Sequence, residues 1–143
     1  MTNYKLADFS LPRWAELPSI ALYLDQVLII LNEALRDITA EDEKVITATI
    51  INNYVKQKVI MPTVKKKYSR EHLAELIMIT ALKRVLSTAE IVLVLRDIKS
   101  GRSTEEAYEI FCEELENGLR LTGAAEESGR CPELSRLAIK ALT

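Results

Sequence analysis

Three stretches of this chain, residues 20–35, 73–86 and 89–98, carry apolar side chains around most of a helical circumference. A helix that is apolar on most sides must be covered on most sides. The chain therefore has to bury these helices on most of their sides. Either the C-terminal segments fold back over these helices or a second subunit covers them. With 143 residues, 48% of them hydrophobic and 28% charged, there is material for one domain, or one domain with an appendage. The longest apolar runs, Val27–Leu31 and Leu76–Leu82, are far shorter than the roughly 20 residues needed to span a bilayer. No signal peptide is visible before Ser10. The two cysteines, Cys112 and Cys131, do not make a disulfide framework. The expectation is a cytoplasmic protein with no membrane contact.

The start and stop signals divide the chain. Residues 1–18 read as an irregular arm punctuated by Pro12 and Pro18, with Phe9, Leu11, Trp14 and Leu17 pinning it to the body. Ser19 is placed to cap a helix running to about Arg36, with Ile20, Leu24, Val27, Leu28, Leu31 and Leu35 at helical spacing. An acidic connection, Asp37–Glu43, follows. Thr47 caps a shorter helix ending near Gln57. The period then changes, and residues 59–68 read as a small β-hairpin about Pro62 and Thr63. Ser69 caps a helix over about 70–86. Ser87-x-x-Glu90 and Ser103-x-x-Glu106 are capping boxes that open two more, reaching about Lys99 and Arg120. Gly101 and Gly123 are their stop signals. A polar loop over 124–132 and a last helix over about 133–142 complete the reading.

Charge is distributed unevenly along this plan. The formal net charge is only −2, yet the window from Lys44 to Arg70 holds seven basic residues and no Asp or Glu. Removing those seven charges from the net of −2 leaves −9 on the remainder. A basic edge on an acidic body gives a directional field, which matters more than the total. Within the window, Thr47, Thr49, Asn52, Asn53 and Lys56 lie on or beside the outer face of the short helix. These are the short polar and cationic side chains that can meet base edges. Lys65, Lys66 and Lys67 fall on the hairpin, and Tyr68 and Arg70 at the start of the next helix, whose free N–H groups favour an anion. The order of helix, short helix, hairpin, helix, helix, with cations at these points, describes a winged helix-turn-helix. These ten residues are the candidate DNA contacts.

Residues 49–95 resemble the DNA-binding domain of the MerR family. The resemblance is carried by Tyr54, the Val59-Ile60 pair, Pro62, the basic wing ending in Tyr68, and Ser87 with Glu90, Ile91 and Leu95. The longer stretch of about 9–98 is similar to an uncharacterised bacterial family, catalogued as a domain of unknown function and described as MerR-like. MerR recognition helices carry Arg-Tyr-Tyr where this chain has Asn52-Asn53-Tyr54, and a Gly where it has Lys58. The resemblance implies a mainly α fold. It would comprise an arm at 1–18, a MerR-like winged helix-turn-helix with a two-stranded wing at 19–100, and a C-terminal helical appendage at 101–143 for dimerisation or sensing. The function it implies is transcriptional regulation, with double-stranded DNA as partner, a homodimer as the acting form and room for an unknown small-molecule effector.

The rival reading is a protein-interaction adaptor that kept the scaffold without DNA binding. An enzyme is not expected. All four glycines lie at or beyond Gly101, so no phosphate-cradling loop exists. Two cysteines and one histidine are too few for a zinc site. No catalytic residue, metal or cofactor is assigned. His72 reads as a surface residue, and Glu113, Glu114 and Glu116 as a solvated helix face.

Overall fold

The computed structural model describes residues 9–38 and 46–125, with side chains described as far as Leu121. Five helices carry the fold: α1 (Leu24–Ala34), α2 (Ala48–Lys56), α3 (Arg70–Leu82), α4 (Thr88–Lys99) and α5 (Thr104–Ala125). Two short 3-10 turns, Trp14–Glu16 and Arg36–Ile38, flank α1 in sequence.

The central element is α3. From His72 to Ile79 every side chain is buried, and so are Ala81 and Leu82. It is covered by α1 on one side and by α5 on another, while α4 packs on α5 and α2 on α1. The folding-back of α5 therefore covers α3 and packs on α4, whereas Ile29 of α1 and Leu93 of α4 stay exposed, so these two helices are not covered all round. Tyr108, Phe111, Cys112 and Leu115 of α5 are completely buried in the same core as Leu76, Ile77 and Ile91. Each such aliphatic or aromatic side chain contributes about 1.5–3 kcal/mol of transfer free energy. The core thus crosses the 100/101 boundary without a gap among the described residues.

Local signals set most helix starts. Thr47 caps α2, its hydroxyl accepting from the Ile50 N–H. In the Ser87 box the Glu90 carboxylate accepts the Ser87 N–H at 2.8 Å, and the Ser87 hydroxyl accepts the Glu90 N–H at 3.2 Å. The Ser87 backbone bond, followed by the bond to its side chain, holds the Glu90 carboxyl below its usual range. Ser103 and Glu106 repeat the arrangement at α5. Gly101 sits just past α4 with φ +71°, the left-handed conformation of a helix stop.

Several expectations need correction. α1 begins at Leu24, capped at Tyr23, so Ser19 is not its cap and Ile20 is exposed. The cause is long-range: Leu22 forms an antiparallel bridge with Tyr68, its N–H donating to the Tyr68 carbonyl at 2.9 Å and its carbonyl accepting at 2.7 Å. A residue engaged in a bridge cannot also be helical. The wing is not a two-stranded hairpin. Residues 59–68 contain no strand, only that bridge and a second between Val64 and Lys67. α3 stops at Leu82, before a turn over 83–85. α5 runs through Gly118 and Gly123 to Ala125, since a helix already paired and packed tolerates an isolated Gly. The expected helix at 133–142 and most of the 124–132 loop lie outside the described residues, as do residues 1–8 and Lys44.

Residues 9–18 of the arm lie on the body, with Trp14 half-buried in a 3-10 turn. Phe9, Leu11 and Leu17 are buried. Its polar backbone is held by α5: Glu116 accepts from the Leu11 N–H at 2.8 Å and from Arg13 at 2.9 Å, and Glu109 accepts from the Trp14 N–H at 2.8 Å. The Tyr108 hydroxyl donates to the Pro12 carbonyl at 2.6 Å. Glu116 is accordingly buried, not part of a solvated face. Its two acceptor bonds and one cation offset the cost of burying the carboxylate. A second pair, buried Glu75 with half-buried Lys99, joins α3 to α4.

Candidate nucleic-acid interface

On α2 the apolar residues Ile51 and Tyr54 turn inward and are buried, with Val55 half-buried. Thr49, Asn52, Asn53 and Lys56 occupy the opposite side, and all four are exposed. Their spacing of three and four residues stacks them into one outward row. The Asn52 and Asn53 side chains form no hydrogen bond with any described residue, so both amides are free to recognise something else.

The end of α2 is closed by a Schellman motif. The Lys58 N–H donates to the Val55 carbonyl at 3.1 Å, and the Val59 N–H reaches back to the Tyr54 carbonyl at 2.9 Å. This geometry requires a left-handed residue at position 58, and Lys58 supplies it at φ 61°. A lysine thus takes the backbone conformation for which the MerR pattern uses glycine.

The same device recurs in the turn Val64–Lys67. The Lys67 N–H donates to the Val64 carbonyl at 3.0 Å, and the two central residues, Lys65 and Lys66, have φ of 53° and 63°. Positive φ at both central positions marks a type I′ turn, which favours Asn-Gly. Among the described residues, Lys58, Lys65 and Lys66 are the only non-glycine residues with positive φ, and all three are exposed lysines. Each L-residue in this conformation costs about 1–2 kcal/mol. Strain of this kind persists only where the surroundings enforce it, and it clusters at functional segments.

The segment between α2 and α3 is anchored by His72, which is buried rather than at the surface. Its Nδ1 faces the Ser69 N–H at 3.0 Å and the Ser69 hydroxyl at 2.8 Å, both able to donate. Its Nε2 faces the carbonyls of Met61 and Pro62, each at 3.2 Å, which can only accept. The proton therefore sits on Nε2. One ring caps α3 and ties down the Met61-Pro62 segment. Ser69-x-x-His72 is a capping box with His in the place of Glu, and that spacing is the signal the sequence offers.

The remaining candidates divide. Thr47 spends its hydroxyl on the cap. Lys67 is half-buried with its ammonium 5.3 Å from the centre of the Tyr23 ring. Tyr68 is buried against His72, the ring centroids 5.6 Å apart and edge to face, and burial raises its hydroxyl pKa. Its side chain is an anchor, not a surface contact. Arg70 is half-buried, its guanidinium lying 5.4 Å from the centre of the Trp14 ring, with Nε buried and unpartnered. The outward set is therefore Thr49, Asn52, Asn53, Lys56, Lys58, Lys65 and Lys66. No ion pair engages Lys56, Lys58, Lys65 or Lys66 among the described residues. Sequence reading missed Lys58 as part of this set, although it stands in the acid-free window.

A mainly helical domain with an outward polar helix and a lysine-bearing tight turn is the class that fold and site define. No helix among the described residues is long and apolar enough to cross a membrane. No group of three or more His, Cys, Asp or Glu among the described residues could hold a metal ion. Residues 12–111 match the family described as a domain of unknown function, DUF1836, and the chain belongs to that family. The match begins just before the Trp14 turn and ends within α5. Neither a curated protein nor a solved structure matches the chain.

Proposed function

We propose that this protein is a DNA-binding transcriptional regulator of MerR-like type, with α2 entering the major groove and the Lys65-Lys66 turn lying on the phosphates. The observation that carries the reading is the trio of left-handed lysines. At Lys58, Lys65 and Lys66 the backbone would be better served by Gly or Asn, yet a cation stands at each. Positive charge held at a conformational cost, in a window without acids, fits a surface that must meet a polyanion. The outward row on α2 supplies groups for base edges next to that charge. Helix-turn-helix proteins commonly bind as symmetric dimers, so a homodimer is the proposed acting form. A small-molecule effector is compatible with the reading and has no assigned site.

The test is binding to random-sequence duplex by fluorescence anisotropy across a salt series. Each phosphate neutralised adds about −0.9 to the log–log slope. A slope near −3 or steeper that flattens when Lys65, Lys66 and Lys67 are all changed to Glu supports the reading. No binding at low salt refutes it.

A protein-interaction adaptor on the same scaffold is the second reading. It is favoured by Ile20 and Val64, 70% and 71% exposed, beside the bridge and on the turn, where phosphate contact has no use for them. An adaptor would lose its partner when Ile20 and Val64 are changed to Ser, while salt-dependent duplex binding would be absent from the outset.

A further inference from the structure

We infer that the outward face of α2 reads adenine–thymine base pairs. The inference rests on the DNA-binding reading and specifies what that surface recognises. The face is defined by exposure, not by sequence pattern alone. Thr49, Ile50, Asn52, Asn53, Lys56 and Gln57 are the exposed residues of α2 and its C-cap, while Ile51 and Tyr54 hold the helix to the body.

Its chemistry is one-sided. Adenine shows the major groove an acceptor at N7 beside a donor at N6, which matches a carboxamide that donates from its nitrogen and accepts at its oxygen. Asn52, Asn53 and Gln57 each offer that pair of groups. Thymine adds a C5-methyl group, which apolar side chains meet. Thr49 contributes a methyl and Ile50 an alkyl group, both exposed. Guanine presents two acceptors and is met by a side chain with several donors, Arg above all. The face has no Arg, and its one cation, Lys56, lies at the last position of the helix. Asn52 and Asn53 are adjacent in sequence and roughly 100° apart around the helix, so they address neighbouring base pairs rather than one.

In vitro selection from a random duplex library, using the full chain, tests this. The expected result is enrichment of A·T pairs at adjacent positions. Asn52→Ala and Asn53→Ala should each relax the preference at one of them, by roughly 5- to 150-fold in relative affinity. Both positions face solvent, and Ala is the better helix former, so the melting temperature should hold or rise slightly. Replacing adenine by 7-deazaadenine at an enriched position keeps base pairing and removes the N7 acceptor. It should weaken wild-type binding and leave the matching Asn→Ala variant unaffected. Salt-dependent binding with no base preference, or a G·C preference that the Asn variants keep, overturns the inference while the DNA-binding reading stands. Absence of any duplex binding overturns both.

Discussion

Replacing Lys65-Lys66 by Asn-Gly should make the protein more stable and, under the DNA-binding proposal, weaken its hold on duplex. Both residues sit at positive φ in a two-residue turn. Relieving an L-residue of that conformation returns about 1–2 kcal/mol. Glycine gives back about 0.4–1 kcal/mol by loosening the unfolded chain. Asn at the first position retains a side chain but tolerates the left-handed region. The net gain should be about 1 kcal/mol. With an m-value of about 1–3 kcal/mol/M for a small protein, the urea midpoint should rise by about 0.3–1 M with m unchanged. Under that proposal the cost falls on binding: with two phosphate-neutralising cations gone, the log–log salt slope should flatten by about 1.8. Lys65→Glu with Lys66→Glu is the control. It retains the backbone strain and should leave the midpoint nearly unmoved, while binding falls further. An unchanged or lower midpoint for the Asn-Gly variant would refute the strain argument. A stabilised variant with an unaltered salt slope would show that the lysines are kept for something other than DNA.

Further predictions concern the buried charges and the thiol. Glu116→Ala removes the acceptor of the Leu11 N–H and the partner of Arg13, and should cost about 2–4 kcal/mol with a red shift in Trp14 emission. Lys99→Met strands the buried Glu75 carboxylate and should cost about 3–5 kcal/mol in urea melts, most of it recovered in the double variant with Glu75→Gln. Burial pushes the Cys112 thiol from its ordinary 9.0 up to about 11, so the fold prefers the neutral thiol. That preference is harmless below pH 9 and is lost as pH rises toward 11, a fall of up to about 3 kcal/mol that Cys112→Ala should remove from a urea series in pH. Tyr108, raised in the same direction mainly by burial, would add to the loss above pH 10.

What can be read in the sequence is what is local. Thr47, Ser87 with Glu90, and Ser103 with Glu106 do their work within four residues, and α2, α4 and α5 start where these signals say. The inward Ile51 and Tyr54 and the outward Asn52, Asn53 and Lys56 follow from helical period alone. Illegible features depend on distant partners. Ser19 looks like a cap, but Leu22 is taken by Tyr68 from beyond α2. Glu116 looks solvated beside Glu113 and Glu114, and nothing nearby says that the arm will lie on it. His72 looks like a first-turn surface residue because its carbonyl partners, at Met61 and Pro62, come from a segment without regular structure. The turn looks like paired strands because the helical period ends at Val59–Met61 and Lys66–Tyr68 follows across a Pro62-Thr63 turn signal. The tight reversal at Lys65-Lys66 uses residues that no turn preference selects.

The arm also bears on how the chain is made. The bonds that hold it join Leu11 and Arg13 to Glu116, and Trp14 to Glu109, across 95 to 105 residues. At a synthesis rate of about 5–20 residues per second, the arm is finished roughly 5–20 s before the carboxylates that receive it. During that interval Leu11, Arg13 and Trp14 have no α5 to bond to, and α3 lacks the helix that covers one of its sides. Birth order and closing order are thus opposed: among the described residues, nearly the first segment synthesised waits for the last helix.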